Sequence, residues 1–152
     1  MNERFIRIAA TGLGSGLFPL APGTAGTLVG VLVYMVFSSF SWPLYLLSVV
    51  AFSLFAVYVS REAERIYNEK DPPRIVIDEV AGFLVTMFLV TPTLWHIFWG
   101  FILFRAFDIT KPFPIRLCEQ KFPGGYGVVA DDIAAGVYAN IILLLLVRFV
   151  IF

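Results

Sequence analysis

Five acidic residues, Asp78, Glu79, Asp108, Asp131 and Asp132, stand in stretches that are otherwise apolar. A carboxylate held there without a partner costs roughly 2.5 kcal/mol or more, so each needs a reason to be present. Asp78 and Glu79 lie in Ile-Val-Ile-Asp-Glu-Val-Ala-Gly-Phe. They could simply complement the dipole of a helix start, but two adjacent acids followed by a glycine favour a ligand site. Asp131 and Asp132 follow Phe-Pro-Gly-Gly-Tyr-Gly-Val-Val-Ala, which predicts a flexible loop delivering them to the start of the last helix. Capping that helix needs one of them only. Adjacent residues on a helix point about 100° apart, so the second acid is free to face a bundle interior. Oxygen ligands alone suit a hard cation, and Mg²⁺ binds one or two carboxylates while bridging to phosphate. The expected metal ligands are therefore Asp78, Glu79, Asp131 and Asp132, with Asp108 as a further catalytic candidate.

Cations crowd beside these acids. Arg105, Asp108 and Lys111 are spaced three apart, which puts them on one helix face before Pro112 and Pro114 stop the helix. That geometry also fits internal ion pairs. Yet Arg105, Lys111, Arg116 and Lys121 are offset locally only by Asp108 and Glu119. A bound anion would supply the missing negative charge, and phosphate matches guanidinium geometry. Arg105, Lys111 and Arg116 are accordingly phosphate-binding candidates. Thr24 joins them, since the glycine-rich run over 11–16 and the Pro-Gly-Thr that follows lead into a helix start whose N–H groups could cradle phosphate. The same glycines could serve helix packing alone. His96 falls at the opposite end of the chain's charge pattern, and Cys118 is not followed by a phosphate-binding loop. Metal-assisted attack on phosphorus remains, by water or by an aspartate nucleophile.

The elements positioning these groups are apolar helices. Hydrophobic residues make up 59% of the chain, charged residues 14%, and the mean hydropathy is +0.86. A soluble domain has about 25% charged residues, so a bilayer is the expected solvent. The 152 residues suit one domain. Zero net charge argues against nucleic acid, and a single cysteine excludes an internal disulfide. No clean apolar run ending in a cleavage site follows Met1, so the amino terminus is expected to be mature protein. Apolar stretches over 23–40, 43–60, 75–90, 95–107 and 133–152 predict an all-α bundle of about five spans, with 5–17 as an interfacial segment. The turns near Phe40 and Thr91 hold no Lys or Arg, whereas the other turns hold all but Arg148. The positive-inside rule therefore places the acids and their cations at the cytoplasmic face. Trp42, Trp95 and Trp99 cluster at the opposite face, as an aromatic belt does.

Four ordered blocks carry a family resemblance across nearly the whole chain. They are Gly14-Ser15-Gly16 with Pro19 and Pro22-Gly23-Thr24-x-Gly26; Asp78-Glu79 with Gly82; Phe104-Arg105 with Asp108, Lys111-Pro112 and Pro114-Ile115-Arg116; and Gly124-Gly125, Gly127 and Asp131-Asp132 with Ala135-Gly136. In these the chain resembles the phosphatidylglycerophosphatase A family of bacterial inner membranes. The resemblance implies hydrolysis of the terminal phosphate of phosphatidylglycerophosphate, with Mg²⁺ as cofactor. Two rival classes are weighed against it. A CDP-alcohol phosphatidyltransferase also uses intramembrane aspartates, but at four-residue helical spacing. A small ion-coupled transporter would carry its polar groups near the midplane and repeat one half in the other.

Overall fold

The computed structural model describes residues 2–113, 115–116 and 124–151. Among them there are six α-helices and no strand. Helix α1 (Glu3–Ala10) is capped by the Asn2 side chain, which accepts the Arg4 N–H. A 3₁₀ turn (Ser15–Leu17) leads to α2 (Pro22–Phe37), which opens on a proline whose missing N–H costs nothing at a helix start. The long α3 (Trp42–Tyr67) also carries a proline in its first turn and closes on Asn68 in a left-handed conformation. After α4 (Ile77–Thr86) comes α5 (Leu94–Thr110), where the Thr93 hydroxyl accepts the His96 N–H at one end and Lys111 takes up a left-handed conformation at the other. Last is α6 (Gly125–Leu146), running into a π-helical turn (Val147–Ile151).

Helix α4 is the hub. It packs against α6, α2 and α3, while α5 lies on α6 and α1 on α3. Phe83 and Leu84 of α4, with Met87 just after it, are buried with Tyr34, Phe104 and Leu143 in the main core. A second core beneath α1 joins Ile6 and Ala10 to Val59 and Ala63 of α3. The outer faces remain apolar. Leu32, Leu47, Leu54, Ile102 and Ile141 all point outward and exposed, which a water-facing monomer rarely tolerates at this density.

Trp42–Tyr67 and Gly125–Phe149 are long and apolar enough to cross a bilayer, and Pro22–Phe37 is a shorter apolar helix. By length and composition, then, the five expected spans reduce to two among the described residues. The clearest departure is α4, whose ten residues rise only about 15 Å, half of a hydrocarbon core. Where the expected third span over 75–90 should have continued, the helix stops and its backbone is capped by neighbours. Tyr45 donates to the Leu84 carbonyl at 2.6 Å, Tyr34 to that of Val90 at 2.9 Å, and the Asn140 amide to those of Thr86 and Phe88 at 2.8 Å each. Away from water such carbonyls must find donors inside the protein.

The last helix departs in the other direction. It begins at Gly125, so Asp131 and Asp132 lie well inside α6 and neither caps it. Gly125 and Gly127, read as part of a flexible loop, are helical, and Gly125 lets α6 cross α3 closely: a Cβ on Gly125 would sit 2.6 Å from the Arg61 nitrogen and 2.7 Å from the Val57 carbonyl oxygen. Glu62 and Glu64 belong to the final turns of α3.

Candidate active site

Asp78 and Glu79 occupy the first turn of α4, aimed at α6 by a close helix crossing. Gly82, one turn further on, makes the crossing possible. A Cβ there would fall 2.6 Å from Phe104 and 2.7 Å from the Asp132 carbonyl oxygen. Gly136 approaches the Gly82 carbonyl from the other side. With no side chain between the helices, Asp132 comes up beside the α4 acids. One carboxylate oxygen from each of Asp78, Glu79 and Asp132 lies within 4.8 Å of the others.

Three carboxylates so close repel one another strongly in a buried setting, where each interaction is screened far less than in water. Asp78 and Asp132 are 5% and 4% exposed. Asp78 Oδ1 and Glu79 Oε2 are buried with no hydrogen-bond donor. Unsatisfied, adjacent and all-oxygen, these atoms suit a hard divalent cation, which would offset the repulsion and complete their coordination.

The cations border this triad. Arg105 projects from the last turns of α5, its Nη1 paired with Asp108 one turn on and 3.9 Å from Glu79 Oε1. Its Nε is buried without a partner. Gly23, in the first turn of α2, keeps that pair uncovered, since a Cβ there would lie 3.0 Å from both terminal guanidinium nitrogens. Lys111 reaches from the end of α5 to Asp131 of α6. Together these groups line a chamber of about 550 Å³, walled also by Thr24 at the start of α2 and by the segment joining α3 to α4.

Most sequence candidates therefore meet in one place. Asp78, Glu79, Asp108, Asp131, Asp132, Arg105, Lys111 and Thr24 all line the chamber. Asp131 faces Lys111 and lies outside the three-carboxylate group. Arg116 is exposed and does not contribute to the wall. Lys121, Glu119 and Cys118 lie outside the described residues. Asp71, which was not among the sequence candidates, also lines the chamber, with its N–H held by Glu64 Oε1 at 2.9 Å. Composition around Asp71 carries no mark of that role; only the return of the α3–α4 segment over the chamber reveals it. His96 sits at the far end of α5, where its ring Nδ1 is 2.8 Å from the Thr91 carbonyl oxygen.

Chemically, the arrangement couples a cation site to a guanidinium and an ammonium in one cavity, next to a helix start whose dipole favours an anion. Phosphate esters are the substrates that such a combination fits.

Similarity to known proteins agrees. A protein of Bacteroides thetaiotaomicron named "Putative phosphatidylinositol-3-phosphatase" is 37% identical over 153 residues, covering 95% of this chain and 94% of its own length. Phosphatidylglycerophosphatase A of Escherichia coli K12 is 35% identical over 133 residues, covering 86% of this chain and 76% of its own. The Haemophilus influenzae Rd protein of the same name is 35% identical over 139 residues, covering 90% and 85% respectively. No solved structure matches the chain. The family model for Phosphatidylglycerophosphatase A matches residues 8–147, and with these relatives it shows that the chain belongs to the phosphatidylglycerophosphatase A family.

Proposed function

We propose that this protein is a Mg²⁺-dependent lipid phosphatase that releases the terminal phosphate of phosphatidylglycerophosphate at the cytoplasmic face of a bacterial inner membrane. The observation that carries this reading is the three-carboxylate group beside Arg105 and Lys111 in a single chamber. Family membership supports the phosphatase chemistry, and the two relatives named phosphatidylglycerophosphatase A support the substrate.

Asp78, Glu79 and Asp132 would hold the cation. Once bound, Mg²⁺ supplies charge neutralisation at phosphate oxygens and favours attack by an oxygen nucleophile. Arg105 holds the remaining phosphate oxygens, and its pairing with Asp108 fixes the guanidinium plane before substrate arrives. Lys111, steadied by Asp131, adds a second positive charge where negative charge accumulates during transfer. The phosphorus–oxygen bond to the glycerol breaks and a bond to the incoming oxygen forms. A proton ends on the glycerol oxygen, giving phosphatidylglycerol and inorganic phosphate. An attacking water completes this in one displacement. An attacking aspartate needs a second, in which water releases the phosphate.

The Bacteroides relative's name raises a second substrate, a phosphoinositide carrying the same phosphomonoester on a bulkier alcohol. Phosphate release by purified protein from phosphatidylglycerophosphate, phosphatidylinositol 3-phosphate and phosphatidic acid, each with Mg²⁺ and with chelator, tests both. Metal-dependent turnover fastest on phosphatidylglycerophosphate is expected. A preference for the inositol lipid would reassign the substrate, and full activity in chelator would remove the metal from the reading.

A further inference from the structure

The exposed part of the chamber's lining has two unlike halves. One is Asp71 and Pro73 of the α3–α4 segment, beside the polar and exposed Glu69 and Lys70. The other is Leu20, just before α2, and Ile109, in the last turn of α5. Both line the chamber, yet they are 87% and 70% exposed. The apolar half extends outward: Leu17 and Phe18 are exposed on the approach to Leu20, and Phe113 beyond Ile109. Here α2 rests on α4 while α5 rests mainly on α6, and the two helices meet each other only marginally.

A soluble phosphate ester needs no such wall, and bulky apolar side chains left bare at a polar cavity are unfavourable in water. A lipid phosphate has both halves of the required character. Its phosphate belongs among Arg105, Lys111 and the carboxylates, while its acyl-bearing glycerol must leave towards hydrocarbon. We propose that the gap between the start of α2 and the end of α5 is a lateral portal with Leu20 and Ile109 as its posts, over which the acylated part of the substrate lies while its phosphate occupies the chamber. This rests on the lipid-phosphatase reading and adds where the lipid enters and which residues read its chains.

Chain-length dependence tests it. Purified wild type, Leu20→Ser, Ile109→Ser and Leu94→Ser are assayed in the same mixed micelles on dioleoyl and dihexanoyl phosphatidylglycerophosphate. Leu94 is also 87% exposed but stands at the opposite end of α5, so it controls for general loss of micelle contact. Each portal variant is expected to raise KM for the dioleoyl lipid about five- to tenfold, with KM for the dihexanoyl lipid within about twofold and kcat unchanged. Leu94→Ser is expected to leave the ratio between the two lipids as in wild type. The portal is overturned if Leu20→Ser and Ile109→Ser act alike on both chain lengths, if they act on neither, or if Leu94→Ser shifts the ratio as much. Wild type that releases no phosphate from either lipid would instead overturn the phosphatase reading, and the portal with it.

Discussion

Glu79 answers to two kinds of neighbour, with Asp78 and Asp132 in the group spanning 4.8 Å on one side and Arg105 at 3.9 Å on the other. Removing charge from the two sides should fail differently. Asp78→Asn, Glu79→Gln and Asp132→Asn keep side-chain size, so a metal titration of turnover should move to higher Mg²⁺ or show kcat falling about a hundredfold or more. Arg105→Lys should lower kcat/KM about ten- to a hundredfold with the Mg²⁺ midpoint unchanged, because one ammonium cannot copy a guanidinium fork. Asp131→Asn should follow Lys111→Ala in leaving the midpoint unchanged, and the double variant should lose less than the product of the two single losses. Equal metal dependence for acidic and basic variants would make the acids structural. Much of this site is legible in the chain. Charges that interrupt apolar runs announce themselves by their cost, which marks Asp78, Glu79 and Asp132. The Lys111–Asp131 pairing spans twenty residues and so leaves no local pattern. Asp71 escapes for the opposite reason: in a polar segment, one more carboxylate attracts no notice.

At the scale of elements, two glycines do what no acid can do for itself. Gly82 and Gly136 set the distance between α4 and α6, and through it the distance from Asp78 to Asp132. Gly82→Ala should force the helices apart at Phe104 and the Asp132 carbonyl, costing about 1–3 kcal/mol by thermal unfolding. Turnover should fall further than stability, since a displacement of about 1 Å at a reacting centre costs up to a hundredfold. Unchanged activity in a stably folded Gly82→Ala protein would show that the crossing does not set the site. Hydropathy finds the helices but misjudges their ends. Gly-Gly-Tyr-Gly has the composition of a loop, yet all but its first residue are helical, and Gly125 is bare because α3's backbone lies against it. Conversely, the apolar run over 75–90 promises a full span, and nothing local says that Asn140, Tyr34 and Tyr45 cap α4 early.

For the molecule as a whole, the polar chamber lies at the ends of α3 and α5 that are remote from Trp42 and Trp95. If the bundle crosses as its charge bias indicates, single cysteines in a Cys118→Ser background should divide cleanly in intact cells. Ser39→Cys and Thr93→Cys should react with an impermeant maleimide from outside, and Asn68→Cys only after lysis. External labelling at Asn68 would turn the site to the wrong face. The broken end of α4 has a bearing on how such a protein comes to be made. During synthesis the Thr86 and Phe88 carbonyls leave the ribosome ahead of their donor, Asn140, by 54 and 52 residues. Lipid offers them nothing in the interval. If α4 lies at bilayer depth, this half-helix has to wait beside a proteinaceous or aqueous shelter until α6 arrives, which makes insertion a sequence of dockings. Ribosome-stalled chains ending before Gly125 should leave the 77–91 stretch open to protease, and chains extended past Leu146 should close it.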